Sequence, residues 1–142
     1  MESIIFQTFL RKKGLKLTKE RMAVLKEVFS FHAHFEPEHL YLRIKDSGSK
    51  ASRASVYRTL NLLVGSGLVE KVTRNEKSNV YEHTFGHTHH DHMICEGCGG
   101  IIEFYSEKLE NLQKEICLGN GFDGKSHILE IRGYCTECKR IR

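Results

Sequence analysis

The spacing of apolar and polar residues divides the chain into two segments that meet near residue 84. In the first segment, apolar residues recur at intervals of three and four, which predicts amphipathic helices. These predicted helices cover "SIIFQTFLRKKG", the stretch after Thr18, "PEHLYLRIKDSG" and "RASVYRTLNLLVGSG". Two shorter stretches follow, "LVEKVTR" and "NVYEH", which read as strands joined by the polar turn "NEKS". Helices followed by a β-hairpin are the order of a winged helix-turn-helix.

The second segment has the pattern of strands around one helix. The stretches "HDHMIC", "GIIEFY" and "SHILEIRGYC" are strand-like, whereas "SEKLENLQKEICLG" is helical, with Ser106 as its predicted N-cap. We therefore predict an α+β protein: an N-terminal winged helix-turn-helix in residues 1–83, a hinge at 84–90, and a small C-terminal α/β domain in 91–142.

Charge adds a functional expectation to this organisation. Residues 1–83 contain 15 Lys and Arg against 9 Asp and Glu, whereas residues 84–142 contain 7 against 9. An excess of positive charge in one domain is expected of a nucleic-acid-binding module. The start of the chain lacks a signal-peptide pattern and no apolar run reaches 18 residues, so we expect a soluble cytoplasmic protein with no membrane partner.

The fourth predicted helix has the pattern of a recognition helix. One face is apolar and is expected in the core: Val56, Leu60 and Leu63. The opposite face exposes a tyrosine beside an arginine, and these side chains can contact a thymine methyl group and a guanine edge or phosphate. An amphipathic surface helix with no DNA role is the alternative. The predicted DNA-contacting residues are Lys16, Arg21, Arg53, Ser55, Tyr57, Arg58 and Asn61.

Four of the five cysteines form two C-x-x-C pairs, Cys95 with Cys98 and Cys135 with Cys138. Two such pairs provide the four thiolates of a tetrahedral Zn²⁺ site, and a site with four protein ligands is structural because it leaves no open position. The alternative is that one pair is redox-active. Cys117, beside an isoleucine on the predicted helix, is interpreted as a core or flanking residue.

The histidine cluster "HHDH" offers ligands in two directions. In an extended strand, His90 and His92 point to one side while His89 and Asp91 point to the other. A helix would instead pair His89 with His92. Partner ligands must come from elsewhere in the chain, and the candidates are His32, His34, Glu82, Glu103, Glu110 and His127. His83 and His87 receive no role and are expected in a polar loop.

Several motifs together resemble the ferric uptake regulator family of metal-dependent repressors. "HFEPEHLY", "RASVYRTLNLL", "HHDHMICEGCGGIIEF" and "SHILEIRGYCTEC" follow one another in the family's order across nearly the whole chain. The resemblance implies a homodimer that binds a palindromic double-stranded DNA operator through its winged helices. It also implies that the C-terminal α/β domain is the dimerisation domain.

The resemblance implies three metal sites. The structural Zn²⁺ ligands would be Cys95, Cys98, Cys135 and Cys138. The regulatory ligands, drawn from both domains, would be His34, Glu82, His90, His92 and Glu103, with His32 as a competitor of His34. The ligands of an additional site would be His89, Asp91, Glu110 and His127. Histidine with carboxylate suits Fe²⁺, which we favour, and also Mn²⁺ and Zn²⁺; peroxide-sensing and zinc-sensing members of the family are the alternatives.

Two functions of other classes remain as rivals. A metalloenzyme is disfavoured because the chain has no H-E-x-x-H and no H-x-E paired with P-C-x-x-C, so we expect neither catalysis nor a small-molecule substrate. A zinc-stapled protein–protein adaptor without a DNA role is the second rival. Steep loss of DNA binding with rising salt distinguishes the proposed regulator from such an adaptor.

Overall fold

The computed structural model describes residues 1–75, 78–86 and 88–141. His87 and two residues of the "NEKS" turn lie outside these ranges. The chain divides into two compact units, Met1–Thr88 and His89–Arg142. Within the described residues, none of the helices combines the length and the apolar character needed to cross a membrane.

The N-terminal unit consists of four helices and a β-hairpin. Its elements are α1 (Glu2–Lys12), α2 (Lys19–Ser30), α3 (Pro37–Asp46), α4 (Arg53–Gly65), β1 (Val69–Asn75) and β2 (Ser78–His83). Local sequence signals set the helix starts: the hydroxyl oxygens of Thr18 and Ser52 accept backbone N–H bonds at the beginnings of α2 and α4. β1 and β2 are antiparallel, and a two-residue bridge between Phe35 and Tyr81 extends the hairpin. This order of elements is the expected winged helix-turn-helix.

The apolar faces of these helices form one core. Its buried members include Phe6, Leu10, Val24, Leu25, Val28, Leu40, Ile44, Val56, Leu60 and Leu63. The apolar face predicted for α4 is fully inside, with Val56 and Leu63 at 0% exposure and Leu60 at 1%. Burial of this face holds α4 against the rest of the unit and directs its polar face outward.

The C-terminal unit is a three-stranded sheet with two helices. Its elements are β3 (Asp91–Cys95), β4 (Ile101–Phe104), α5 (Glu107–Gly119), β5 (Glu130–Gly133) and α6 (Thr136–Ile141). The strand order is β4-β3-β5, with β3 antiparallel to β4 and parallel to β5. α5 lies in the long connection that the parallel pairing requires. The Ser106 hydroxyl accepts the Leu109 N–H at the start of α5, as expected.

Two local features of this unit differ from the sequence-based expectation. The last strand is only four residues long, although the apolar pattern extends over "SHILEIRGYC". The chain then forms the short helix α6, which the sequence pattern did not predict and which carries Cys138. Six residues are too few for helical periodicity to be read from sequence.

The C-terminal unit buries little apolar surface. Among its described residues, Ile94 and Cys95 are the buried apolar side chains, at 1% and 5% exposure. The side chains that remain exposed include Ile102, Tyr105, Leu112, Ile116, Leu118, Phe122, Ile128 and Ile131. A domain of this size with so small a core needs a further source of stability, such as bound metal or association with another chain.

Substitution of Leu60 tests the assigned core of the N-terminal unit. Leu60→Ala leaves a cavity beneath α4 and is expected to lower the free energy of unfolding by about 2–5 kcal/mol, measured by urea denaturation. Asn61→Ala, on the exposed side of the same helix, is the matched control and should change it by less than about 0.5 kcal/mol. Equal effects of the two substitutions would contradict the assignment.

Candidate functional site

The outward face of α4 carries most of the predicted DNA-contacting residues. Tyr57, Arg58 and Asn61 are exposed there. Lys16 is also exposed, just before α2, and its backbone carbonyl accepts a hydrogen bond from the Arg21 guanidinium. This bond fixes the Arg21 side chain against the turn that presents Lys16.

The candidate DNA contacts lie on two sides of α4. Ser55, Arg58 and Asn61 line a cleft of about 680 Å³ whose wall also includes Lys13 and Arg21. The cleft lining therefore includes three cationic side chains, from α2, α4 and the residue that follows α1, together with the acidic side chain of Glu20. Such a surface attracts phosphate oxygens without reading sequence.

The other side of α4 faces α3 and involves a residue that the sequence did not single out. The Glu38 carboxylate accepts from the Arg53 guanidinium in an ion pair, and Tyr57 Oη donates to Glu38 Oε2 over 3.4 Å. The bond to Glu38 raises the pKa of Arg53, while burial and the neighbouring carboxylate raise the pKa of Tyr57. The Arg53 guanidinium also lies over the ring of Tyr41, 4.5 Å from its centroid. No local pattern links residues 15 positions apart, so only the fold reveals this group.

The wing positions one histidine–carboxylate pair in the N-terminal unit. Phe35 and Tyr81 exchange backbone hydrogen bonds of 2.9 and 2.8 Å, which aligns the chain around them as antiparallel strands. His34 then lies opposite Glu82, and His34 Nε2 is 3.2 Å from a Glu82 carboxylate oxygen. His32, the competitor for this position, is exposed.

His83 differs from the polar-loop expectation, although it agrees with the strand predicted over "NVYEH". It ends β2 and is 9% exposed. Its Nε2 lies 2.7 Å from the Phe31 carbonyl oxygen, and its ring stacks on Phe29 at 4.6 Å between centroids. The histidine therefore connects the wing to the end of α2. Sequence alone presents it only as the neighbour of Glu82.

In the C-terminal unit, one face of β3 presents a second group of nitrogen and oxygen ligands. His92 is 1% exposed and is directly opposite Glu103 in the antiparallel β3–β4 pair. His90, just before β3, has its Nε2 3.5 Å from Glu103 Oε1, and its ring is 4.9 Å from that of His92. His90, His92 and Glu103 thus lie together, on the face expected from strand alternation.

On the opposite face of β3, four residues form a compact cluster: His89, Asp91, Glu110 and His127. The His89 and His127 Nε2 atoms are 3.0 Å apart. Asp91 Oδ1 is 3.5 and 3.1 Å from these two nitrogens, and Glu110 Oε1 is 3.1 and 3.6 Å from them. Donors at the corners of a tetrahedron around Zn²⁺ are separated by about 3.3 Å. The four ligand atoms therefore have the spacing of a tetrahedral divalent-metal site.

Two carboxylate atoms in this cluster support the same conclusion. Asp91 Oδ2 and Glu110 Oε1 are buried and accept no hydrogen bond among the described residues, although Glu110 Oε1 forms an ion-pair contact with His89. Asp91 itself is only 2% exposed. Burial of a charged oxygen without a hydrogen bond is costly, and a bound cation removes that cost. The residues present thus fit a divalent ion.

The four paired cysteines form the third ligand cluster. Their sulfur atoms all lie within 4.8 Å of one another, and Cys98 Sγ is 4.0 Å from Cys135 Sγ. Sulfur atoms bound to one Zn²⁺ ion are about 3.8 Å apart. Two backbone N–H groups point at the cluster, from Cys135 to Cys95 Sγ at 3.3 Å and from Gly100 to Cys98 Sγ at 3.4 Å. The bond to Cys95 Sγ favours the thiolate form that metal binding requires.

The thiols of this cluster influence one another strongly. Backbone N–H bonds, first from Cys135, lower the pKa of Cys95 to about 6. The neighbouring sulfurs, first that of Cys95, raise the pKa of Cys138 to about 12. Four sulfurs this close cannot all be thiolates without a cation, because their like charges repel one another. Cys117 lies on α5 and is not part of the cluster.

Comparison with known proteins places this arrangement among metal-dependent regulators. The model of the ferric uptake regulator family matches residues 12–132. The ferric uptake regulation protein of Campylobacter jejuni is 38% identical over 135 residues, which cover 94% of this chain and 85% of the relative.

Solved structures give a consistent picture. The Helicobacter pylori ferric uptake regulator has a structure described as revealing three functional metal binding sites. It superposes on this chain with a TM-score of 0.73 at 30% sequence identity, and the match covers 98% of this chain and 94% of the Helicobacter pylori chain. A zinc uptake regulator from M. tuberculosis superposes with a TM-score of 0.50 at 29% sequence identity, and the match covers 84% of this chain and 92% of the M. tuberculosis chain.

Gly97 provides a test of the cysteine cluster that leaves every thiol in place. A Cβ atom at Gly97 would lie 2.8 Å from Cys138 Sγ and 2.9 Å from its Cβ, so Gly97→Ala must displace the sulfur. We expect Gly97→Ala to weaken Zn²⁺ binding at least about tenfold in a chelator competition assay, on the scale of other changes that misplace a metal ligand.

The matched control is Gly133→Ala in β5, where an added Cβ meets nothing within 4 Å. Its Zn²⁺ affinity should stay within about twofold of the parent. Unchanged affinity in Gly97→Ala would show that the four sulfurs do not converge on one ion.

Proposed function

We propose that this chain, which belongs to the ferric uptake regulator family, is an Fe²⁺-responsive repressor acting in the cytoplasm. The family consists of metal-responsive transcription regulators that bind DNA and form dimers, rather than enzymes. The observation that carries the proposal is the division of "HHDH" between two ligand groups on opposite faces of β3. One short segment then serves two metal ions, as expected of a sensor.

DNA recognition is assigned to the winged helix. α4 exposes Tyr57, Arg58 and Asn61, and the adjacent cleft is lined by cations. A recognition helix places such side chains against base edges in the major groove, while lysine and arginine hold phosphates. Two copies of the helix, one from each protomer, would read the two halves of a palindromic operator.

Homodimer formation is assigned to the C-terminal unit. Leu118, Ile128 and Phe122 are 82%, 80% and 67% exposed in the single chain. Apolar side chains so numerous on one small unit indicate a surface that is covered by another molecule. A second copy of the chain is the natural partner in a family of dimers, and closed two-fold symmetry matches a palindromic DNA site.

The cysteine cluster is assigned to structural Zn²⁺. It joins the turn after β3 to the start of α6, which are distant in sequence. Four thiolates complete the tetrahedral coordination of Zn²⁺ and leave no position for a substrate. Their contribution to stability matters here because the unit buries so few apolar side chains.

The regulatory ligands are assigned to two groups. His34 and Glu82 belong to the N-terminal unit, whereas His90, His92 and Glu103 belong to the C-terminal unit. Their three imidazole nitrogens and two carboxylates suit Fe²⁺ and contain no thiolate. If both groups held one divalent ion, chain arrangements in which both contribute would be favoured.

In this proposal, the regulatory ligands control DNA affinity through a shift in populations. Residues 84–90 form the hinge, and without ligation the two winged helices of a dimer vary in spacing and angle. Ligation by both groups selects the spacing that fits the operator. Changing a 1:99 equilibrium to 99:1 requires about a 10⁴-fold preference for the favoured state.

The third cluster is assigned to an additional divalent ion. His89, Asp91, Glu110 and His127 all belong to the C-terminal unit. These residues would hold a divalent ion whose charge would offset the carboxylates of Asp91 and Glu110, so the site would contribute to the stability of the dimerisation domain rather than to the hinge.

A zinc-responsive regulator is the second candidate. It is favoured by the likeness to the M. tuberculosis zinc uptake regulator, and histidine–carboxylate sets also accept Zn²⁺. Mobility shifts with Fe²⁺, Mn²⁺ and Zn²⁺ under anaerobic conditions distinguish the candidates. DNA retardation at the lowest free concentration of Zn²⁺ would favour the zinc sensor, and peroxide-induced release with histidine oxidation would favour a peroxide sensor.

Substitution of His90 tests the regulatory assignment. His90→Ala removes one ligand, and we expect Fe²⁺-dependent retardation of operator DNA to be lost while the dimer and its Zn²⁺ content persist. His32→Ala is the matched control, because His32 is exposed and is the rejected alternative to His34. A normal metal response in His90→Ala, or a lost one in His32→Ala, would contradict the ligand set.

Replacement of cysteines tests the structural Zn²⁺ site. Cys138→Ser should abolish stoichiometric Zn²⁺ and unfold the C-terminal unit, because metal binding and folding are coupled in domains with small cores. Zn²⁺ content and dimer fraction are measured by elemental analysis and sedimentation. Cys117→Ser should leave both unchanged, and equal losses in the two variants would refute the assignment.

A further inference from the structure

The first turn of α4 contains an unfavourable charge that the fold compensates. Arg53 is the first residue of α4, where the positive end of the helix dipole disfavours a cation. Glu38 lies in the first turn of α3, where the dipole favours an anion. The ion pair between these residues joins the starts of the two helices.

Two further contacts fix the Arg53 side chain. Its guanidinium lies over the Tyr41 ring, and Tyr57 Oη donates to the same Glu38 oxygen that Arg53 contacts. The Arg53 and Glu38 side chains remain 56% and 43% exposed. An isolated pair with this exposure contributes little to stability. These contacts are therefore better explained by the orientation they impose on the Arg53 side chain than by their contribution to the free energy of unfolding.

We propose that Glu38 is a positioning residue that determines DNA sequence specificity by orienting Arg53 and Tyr57 for contact with base edges. The inference deepens the proposed function and rests on it. A guanidinium has five N–H donors, so those that do not face Glu38 remain available for guanine O6 and N7. Tyr41 restricts the plane of the guanidinium, and Glu38 restricts its rotation within that plane.

The negative charge of Glu38 distinguishes two possible effects on DNA affinity. A carboxylate close to DNA repels phosphates, so its neutralisation should strengthen binding to every duplex alike if charge is its only role. An orienting carboxylate instead sharpens the difference between the operator and other sequences. Its neutralisation should then increase affinity for scrambled DNA and decrease the ratio of operator to scrambled affinity.

The test uses Glu38→Gln in the full-length dimer loaded with Fe²⁺ under anaerobic conditions. The probe is the duplex that the parent protein selects from a random library, compared with a scrambled duplex of the same length. We expect the ratio of the two affinities to fall about tenfold, within the range for loss of a specific base contact. Glu38→Ala, which also removes the acceptor, should lower the ratio at least as much.

Glu27→Gln is the matched control. Glu27 pairs with Arg43 at 2.7 Å, so this substitution makes the same change in charge without touching α4. It should leave the affinity ratio within about twofold of the parent. In an Arg53→Lys background, Glu38→Gln should change the ratio less than it does alone, because contacting residues are not additive.

Sequence selection by the parent protein tests the proposed function, whereas the affinity ratio of Glu38→Gln tests the role of Glu38. If the parent selects no sequence, the proposed function fails and the inference fails with it. If the parent selects an operator and Glu38→Gln binds both duplexes more tightly by the same factor, the proposed function stands and the inference is refuted. A tenfold fall that persists fully in the Arg53→Lys background would also refute action through Arg53.

Discussion

The shortage of apolar burial in the C-terminal unit is the constraint on which the rest of the molecule depends. Its small sheet buries Ile94 and Cys95, while the other buried side chains there include Asp91 and His92. Burying such polar groups is costly unless they are ligated or paired. The clusters of cysteine, histidine and carboxylate therefore contribute to the fold of this unit as well as to its proposed function. Metal occupancy and folding are expected to be linked for that reason.

The N-terminal unit is built on the opposite principle. Apolar side chains from four helices form its core, and α4 is held there by Val56, Leu60 and Leu63. Because that burial is independent of metal, the outward face of α4 persists whether or not ligands are bound. His34 and Glu82 are attached to the same core through the bridge of Phe35 with Tyr81. In the proposed function, a metal-dependent change would then move a preformed surface rather than create one.

Features that depend on residues close together in the chain could be predicted from the amino-acid pattern. The starts of α2, α4 and α5 follow from Thr18, Ser52 and Ser106, whose hydroxyls reach an N–H three residues ahead. The buried side of α4 follows from helical periodicity. The division of "HHDH" into two groups follows from alternation along an extended chain, and the pairing of thiols within each C-x-x-C follows from a single turn.

Contacts between residues far apart in the chain could not be predicted in this way, because they depend on how the helices and strands pack. Register across the Phe35–Tyr81 bridge placed His34, and not His32, opposite Glu82. Packing of α3 beside α4 places Glu38 next to Arg53. His83, expected in a loop, instead lies at the buried end of β2 and contacts the Phe31 carbonyl oxygen. Such contacts arise because each helix or strand buries its apolar face. The resulting packing brings together polar side chains whose contact no local sequence pattern indicates.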